Sequence, residues 1–163
     1  MKLTGEEDED TLRSEAKEIV LRQLSMMDRT RHELMRALTK RNVPENIAEQ
    51  TVDRYEEHGL VNDEAFANRF VATRMASKPS SRRGLAAALA RKGIERELIE
   101  TALEQVGDEE EDLAALELAQ NKARMTQGLD RQVRYRRIYG ALARRGFSPP
   151  QCRRAVEQVL GED

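Results

Sequence analysis

Apolar residues recur along this chain at spacings of three and four, the period of one helix face, and no convincing strand pattern interrupts them. One arrangement occurs three times: Leu34-x3-Leu38-x-Lys40-Arg41-Asn42-Val43, Leu85-x3-Leu89-x-Arg91-Lys92-Gly93-Ile94 and Ile138-x3-Leu142-x-Arg144-Arg145-Gly146-Phe147. The copies start 51 and 53 residues apart. In each, two apolar residues share a helix face, a basic pair follows, and Asn or Gly then marks the left-handed C′ position that ends a helix. The apolar residue just beyond can fold back onto the helix it leaves. Farther on, Ile47, Ala48, Thr51 and Val52 correspond to Leu98, Ile99, Ala102 and Leu103, and to Gln151, Cys152, Ala155 and Val156. Every copy is therefore a helix, a tight turn and a second amphipathic helix, and a period near 50 residues leaves room for a third helix per repeat.

The punctuation supports an all-α fold of three tandem three-helix units. A first helix should run from about Thr11 or Ser14 to Met26, burying Ala16, Ile19, Val20 and Leu24. Thr30-x-x-Glu33 reads as a capping box, and Pro44 suits the first turn of the third helix. Asn62 or Asp63 caps a helix holding Ala65, Phe66, Phe70 and Val71, and Ser148-Pro149 opens the last helix. A helix from roughly Glu109 to Met125 carries Leu113, Leu116 and Ala119 as its apolar side. The expected divisions are an acidic, disordered tail over 1–12, then units over 13–59, 60–107 and 108–163. Like charges at Glu6, Glu7, Asp8, Glu9 and Asp10, with nothing apolar to bury, are the reason for expecting disorder in the tail.

Composition narrows the picture. Aromatics are 4% of the 163 residues and Trp is absent, so short helices stacked in an elongated array are expected instead of one wide core. A single Cys argues against a disulfide framework, and no apolar run approaches the ~20 residues of a membrane helix. A cytoplasmic location follows as the expectation. The net charge of −2 hides a segregation. Residues 120–155 carry ten Lys/Arg against Asp130 alone, and residues 69–96 carry eight against Glu95 alone. Two basic stretches inside an acidic average suggest an anionic partner surface.

Catalytic and metal chemistry find little support. The two histidines, His32 and His58, and Cys152 have no ligand spacing, and there is no Gly-rich phosphate loop. No metal, no cofactor and no enzymatic activity are expected. The basic pairs at the ends of the middle helices complement the helix macrodipole by roughly 0.3–1 kcal/mol. The dipole does not explain Arg82, Arg83, Arg134, Arg136 and Arg137, which lie where helices begin. The candidate anionic-partner surface is therefore Arg82, Arg83, Arg91, Lys92, Arg134, Arg136, Arg137, Arg144 and Arg145. Tyr135 and Tyr139 interleave with these cations, where they can stack on single-stranded bases or equally pack between units.

The run His58-Gly59-Leu60-Val61-Asn62-Asp63-Glu64-Ala65-Phe66-Ala67, followed by Arg82-Arg83-Gly84-Leu85-x3-Leu89-Ala90-Arg91-Lys92-Gly93-Ile94 and by Arg144-Arg145-Gly146-Phe147, resembles the RecX family, regulators of the RecA recombinase. The resemblance covers about residues 14–160, with Asn42-Val43-Pro44 standing where Gly would be more usual. It implies a curved, modular protein that binds along the helical groove of the RecA–single-stranded DNA filament. It implies inhibition of RecA's ATP hydrolysis, of filament extension and of strand exchange, hence a role in homologous recombination, DNA repair and the SOS response. It brings no catalytic residues. The expected partners are the RecA filament and single-stranded DNA, with no membrane, and the protein itself is expected as a monomer. Two readings of other kinds compete: a helix-turn-helix DNA binder, and a helical-repeat adaptor with no action on RecA.

Overall fold

The computed structural model describes residues 5–161, with side chains from Asp8 onward. Among the described residues there are nine α-helices and no strand: α1 Gly5–Met26, α2 Arg31–Lys40, α3 Glu45–Glu57, α4 Asp63–Ser77, α5 Arg82–Arg91, α6 Arg96–Leu103, α7 Asp108–Met125, α8 Arg131–Arg144 and α9 Pro149–Gly161. They follow one another as three tandem three-helix repeats.

The turn that ends each middle helix forms for the reason its residues suggest. In the first repeat Asn42 takes φ 61°, and the Val43 amide donates back to the Leu38 carbonyl at 3.1 Å. In the third, Gly146 takes φ 90° and the Phe147 amide donates to Leu142 at 3.2 Å. This is the six-to-one bond of a Schellman turn, and it delivers Val43 and Phe147 into the core. At the other end of α2 the capping box is complete: the Glu33 amide donates to Thr30 Oγ1, and the Thr30 amide to Glu33 Oε1. Ser148 and Gln151 make the same reciprocal pair ahead of α9. Pro44 occupies the N-cap of α3, one residue before the expected first turn, with its carbonyl accepting from the Ala48 amide. Asn62 caps α4 through the Ala65 amide, which leaves Asp63 free to accept from the Arg31 amide.

Two expectations are corrected. The disordered tail over 1–12 gives way to helix from Gly5, and the tail's residues 1–4 lie outside the described residues. Carboxylates such as Asp8, Glu9 and Asp10 complement the positive end of the α1 dipole, and Arg13 lies 3.8 Å from Glu9 one turn away. The same charges that seemed to forbid structure therefore support a helix N-terminus. In α7 the buried face is Ala114, Ala115, Leu118 and Ala119 with Glu111, whereas Leu113 is exposed and Leu116 only half-buried. Small residues let α8 and α9 approach closely there, so alanines rather than leucines face inward.

Compactness divides the chain differently from the repeats. One compact unit comprises the chain up to Ala67 together with Ala90–Leu98, and the other comprises Asn68–Leu89 with the chain from Ile99 onward. The first holds a core of Ala16, Val20, Leu34, Leu38, Ile47 and Val52, where α1, α2 and α3 pack on one another. The second holds Leu118, Ile138, Leu142, Phe147, Val156 and Leu160, where α7, α8 and α9 do the same. The middle repeat is split between them, as expected where a repeat cannot bury its apolar face alone.

Candidate functional site

Two of the three basic pairs, Arg91-Lys92 and Arg144-Arg145, lie at a joint that occurs twice. In the first compact unit the Thr30 hydroxyl, which caps α2, also donates to the Lys92 carbonyl at 2.6 Å. In the second the Ser81 hydroxyl, which accepts from the Gly84 amide and so caps α5, donates to the Arg145 carbonyl. Thr30 and Ser81 are buried, and each stands four residues before the first apolar position of its copy, Leu34 and Leu85. Each hydroxyl thus both caps its own helix and holds the C-terminal turn of the next middle helix. The glycine after each acceptor makes the approach possible. A Cβ on Gly93 would fall 2.1 Å from His32 Cβ, and one on Gly146 would fall 2.8 Å from Ser81 Oγ. Sequence reasoning read Thr30 as a helix cap but found neither long-range bond, although the matching offset of Thr30 and Ser81 from Leu34 and Leu85 was the available signal.

This joint, with other contacts, sorts the nine candidate cations into two groups. Arg82, Lys92, Arg134 and Arg145 are held by the protein itself. The backbone amide and Nε of Arg82 donate to Glu111 Oε2 at 3.0 and 2.7 Å, and its Nη2 pairs with Asp108. Lys92 Nζ lies 3.7 Å from Glu33 and 5.7 Å from the centre of the Phe66 ring. Arg134 Nη2 donates to the Ala123 carbonyl at 3.1 Å and so closes the C-terminal end of α7. Arg145 Nη1 donates to the Pro79 carbonyl at 2.9 Å. Arg82 and Arg134, two of the arginines near the starts of α5 and α8, thereby have their compensation inside the fold.

Arg83, Arg91, Arg136, Arg137 and Arg144 are different. All five are exposed, and among the described residues none has a side-chain hydrogen bond or ion pair. Arg136, Gly140 and Arg144 follow at intervals of four along one stripe of α8. A Cβ on Gly140 would sit 3.2 Å from Arg144 Nη1, so that guanidinium lies back over the bare glycine. Arg83 belongs to the same compact unit, with its Cβ 3.5 Å from where a Cβ on Gly146 would be. Tyr135 and Tyr139 stack on each other with centroids 6.2 Å apart and pack against the core of that unit. They pack against the core formed by α7, α8 and α9, not between units as expected.

The remaining chemistry is inert. Cys152 is buried, donates weakly to the Phe147 carbonyl at 3.5 Å, and burial pushes its thiol pKa up, away from a reactive thiolate. Among the described residues no three of His, Cys, Asp and Glu are grouped to hold a metal ion, and no helix is long and apolar enough to cross a membrane.

Comparison with known proteins agrees along the chain. Residues 16–54 match the first three-helix domain of RecX, residues 62–103 the second and residues 109–156 the third. The regulatory protein RecX of Streptomyces coelicolor is 44% identical over 149 residues, covering 91% of this chain and 79% of that protein. The regulatory protein RecX of Mycolicibacterium smegmatis is 37% identical over 166 residues, covering 98% of this chain and 88% of its own. The crystal structure of RecX from Lactobacillus salivarius superposes with a TM-score of 0.77 at 22% identity, over 91% of this chain and 97% of that one, which supports the fold. With all three of its repeats matched in order and relatives of this similarity along nearly its whole length, the chain belongs to the RecX family of regulatory proteins.

Proposed function

We propose that this protein is a negative regulator of RecA, a cytoplasmic monomer that binds in the groove of the RecA–single-stranded DNA filament. It inhibits RecA's ATP hydrolysis, filament extension and strand exchange, and so restrains recombination, DNA repair and the SOS response. Family membership supports the RecA-directed role. The observation that carries the reading is the set of exposed arginines without internal counter-ions, Arg83, Arg136, Arg137 and Arg144 in the second compact unit and Arg91 in the first. Unneutralised guanidiniums suit phosphate or carboxylate contacts, and several weak contacts add as avidity when the geometry lets them engage together.

The test is RecA ATP hydrolysis on single-stranded DNA with this protein titrated in. Inhibition well below one protein per RecA is expected, and its absence with RecA from the same source overturns the reading. Within that assay the quadruple variant Arg83→Glu, Arg136→Glu, Arg137→Glu, Arg144→Glu should need about tenfold or more protein for equal inhibition. Each lost phosphate contact should also flatten the salt dependence by about 0.7 in log–log slope. Undiminished inhibition by that variant would remove these arginines from the interface.

A further inference from the structure

The α1–α3 side of the first compact unit carries a second cationic feature, in a region whose composition conceals it. The sequence of α3 reads as acidic, with Glu45, Glu49, Asp53, Glu56 and Glu57. Its charges are sorted by face. Asp53 and Glu56 turn toward α2, where both accept from Arg31 Nη1, at 2.7 and 2.8 Å. Arg54 and His58, one turn apart, face the other way. They meet Arg13 and Lys17, one turn apart on α1, around an open groove of about 750 Å³ that also includes Tyr55. Among the described residues no carboxylate lines this groove. Among the described residues Arg13 pairs with the exposed Glu9 at 3.8 Å, and Lys17, Arg54 and His58 have no ion pair.

The third repeat has a corresponding groove between α7 and α9, lined by Glu109, Asp112 and Leu113 with Arg154 and Gln158. Aligning Thr51 with Ala155 places Gln50 opposite Arg154 and Arg54 opposite Gln158, so the same helix positions line both grooves. The fold supplies the groove in both repeats, and among the described residues the first repeat lines it with basic side chains where the third places Glu109 and Asp112. Like charges gathered round a concave surface repel one another unless an anion joins them.

We infer that the α1–α3 groove is a binding site for the sugar-phosphate backbone of a single nucleic-acid strand, lined by none of the arginines of α5 and α8. It goes beyond the regulatory reading, which places no contact on α1 or α3. The favoured occupant is a strand because nitrogen-bearing side chains come in pairs one helical turn, about 5.4 Å, apart on facing helices, Arg13 with Lys17 and Arg54 with His58. That spacing suits successive phosphates better than one isolated anion. Tyr55 and His58 also bring flat rings to the same groove, and such rings serve as stacking platforms for bases.

The experiment is fluorescence anisotropy of a short fluorescein-labelled oligothymidylate titrated with the full chain at low salt. The double variant Lys17→Glu, Arg54→Glu is compared, with its fold checked by circular dichroism and thermal melting. The expected result is a loss of affinity of about tenfold or more and a salt slope shallower by about 1.4, for two lost phosphate contacts. Should charge reversal disturb folding, Lys17→Gln, Arg54→Gln must still show a several-fold loss. Wild-type affinity in a folded variant overturns the site. So does a groove that takes a polyglutamate peptide or a fluorescent nucleoside triphosphate but no oligothymidylate. RecA inhibition is read separately on the same proteins. RecA inhibition together with unchanged strand affinity in the groove variant sinks only this site, and strand binding without inhibition sinks only the regulatory role.

Discussion

Replacing Gly146 by Ala is expected to lower folding stability by about 2–4 kcal/mol, against about 1 kcal/mol for the same change at Gly128. Both glycines have positive φ, 90° and 84°, so both substitutions strain the backbone. Their surroundings differ. Around Gly128 a new Cβ meets nothing within 4 Å, whereas at Gly146 it falls 2.8 Å from Ser81 Oγ and 3.1 Å from the Gly84 amide nitrogen. The second of these is backbone and cannot swing away. The alanine must therefore part the α8 turn from the start of α5 and break the Ser81 bond to the Arg145 carbonyl. Urea denaturation of the two variants measures the difference. If Gly146→Ala and Gly128→Ala shift the midpoint equally, the joint adds nothing to the cost of strain. Combined with Ser81→Ala, Gly146→Ala should cost less than the sum of the singles, because both remove the same contact.

That joint marks how far the sequence was legible. The turns were readable because a left-handed residue and a returning apolar side chain are local chemistry: Asn42 with Val43 and Gly146 with Phe147 obey it residue by residue. The helix caps Thr30 and Ser148 were readable for the same reason. What Thr30 and Ser81 bond at the far end of the chain was not, since their acceptors lie 62 and 64 residues away. The basic residues show the same limit. Charge counting found Arg82 and Arg83 alike, yet one is tied to Glu111 and the other is open to solvent. Which of two adjacent arginines is committed depends on where the acidic start of α7 arrives. The net charge of α3 concealed its sorted faces for a related reason: a sum over a helix discards the 3.6-residue period that separates Asp53 from Arg54. The acidic N-terminus misled in the opposite sense, because repulsion in an extended tail becomes favourable alignment once the same residues open a helix.

Acidification should expose the second structural anchor, Glu111. Its side chain is 10% exposed, and burial by itself pushes its carboxyl pKa up. Hydrogen bonds from the Arg82 amide, the Gln151 side chain and the Arg82 guanidinium more than offset this and hold the pKa below the ordinary glutamate value. A folded-state pKa below the unfolded one, about 4.3, means that the unfolded chain takes up the proton first. The stabilisation is then fully present above about pH 4.3 and is lost as pH falls through the lower folded value. Glu111→Gln keeps the shape and removes the charge, and near neutral pH it should cost about 1.5–3 kcal/mol, the worth of hydrogen bonds to a charged group. Asp108 cannot substitute for it, since that side chain is 90% exposed and its pairing with Arg82 is screened by water. The gap between wild type and Glu111→Gln should therefore narrow as both are titrated to about pH 3. A gap that stays constant would mean that geometry, and not the carboxylate charge, holds α5 to α7. Because the Arg82 side chain supplies one of those bonds while the Arg83 side chain supplies none, the neighbouring substitutions should separate structure from recognition. Arg82→Ala should lower stability by about as much as Glu111→Gln, since it leaves a mostly buried carboxylate short of partners. Arg83→Ala should leave the denaturation midpoint unchanged, so any loss of filament affinity it causes belongs to the interface itself.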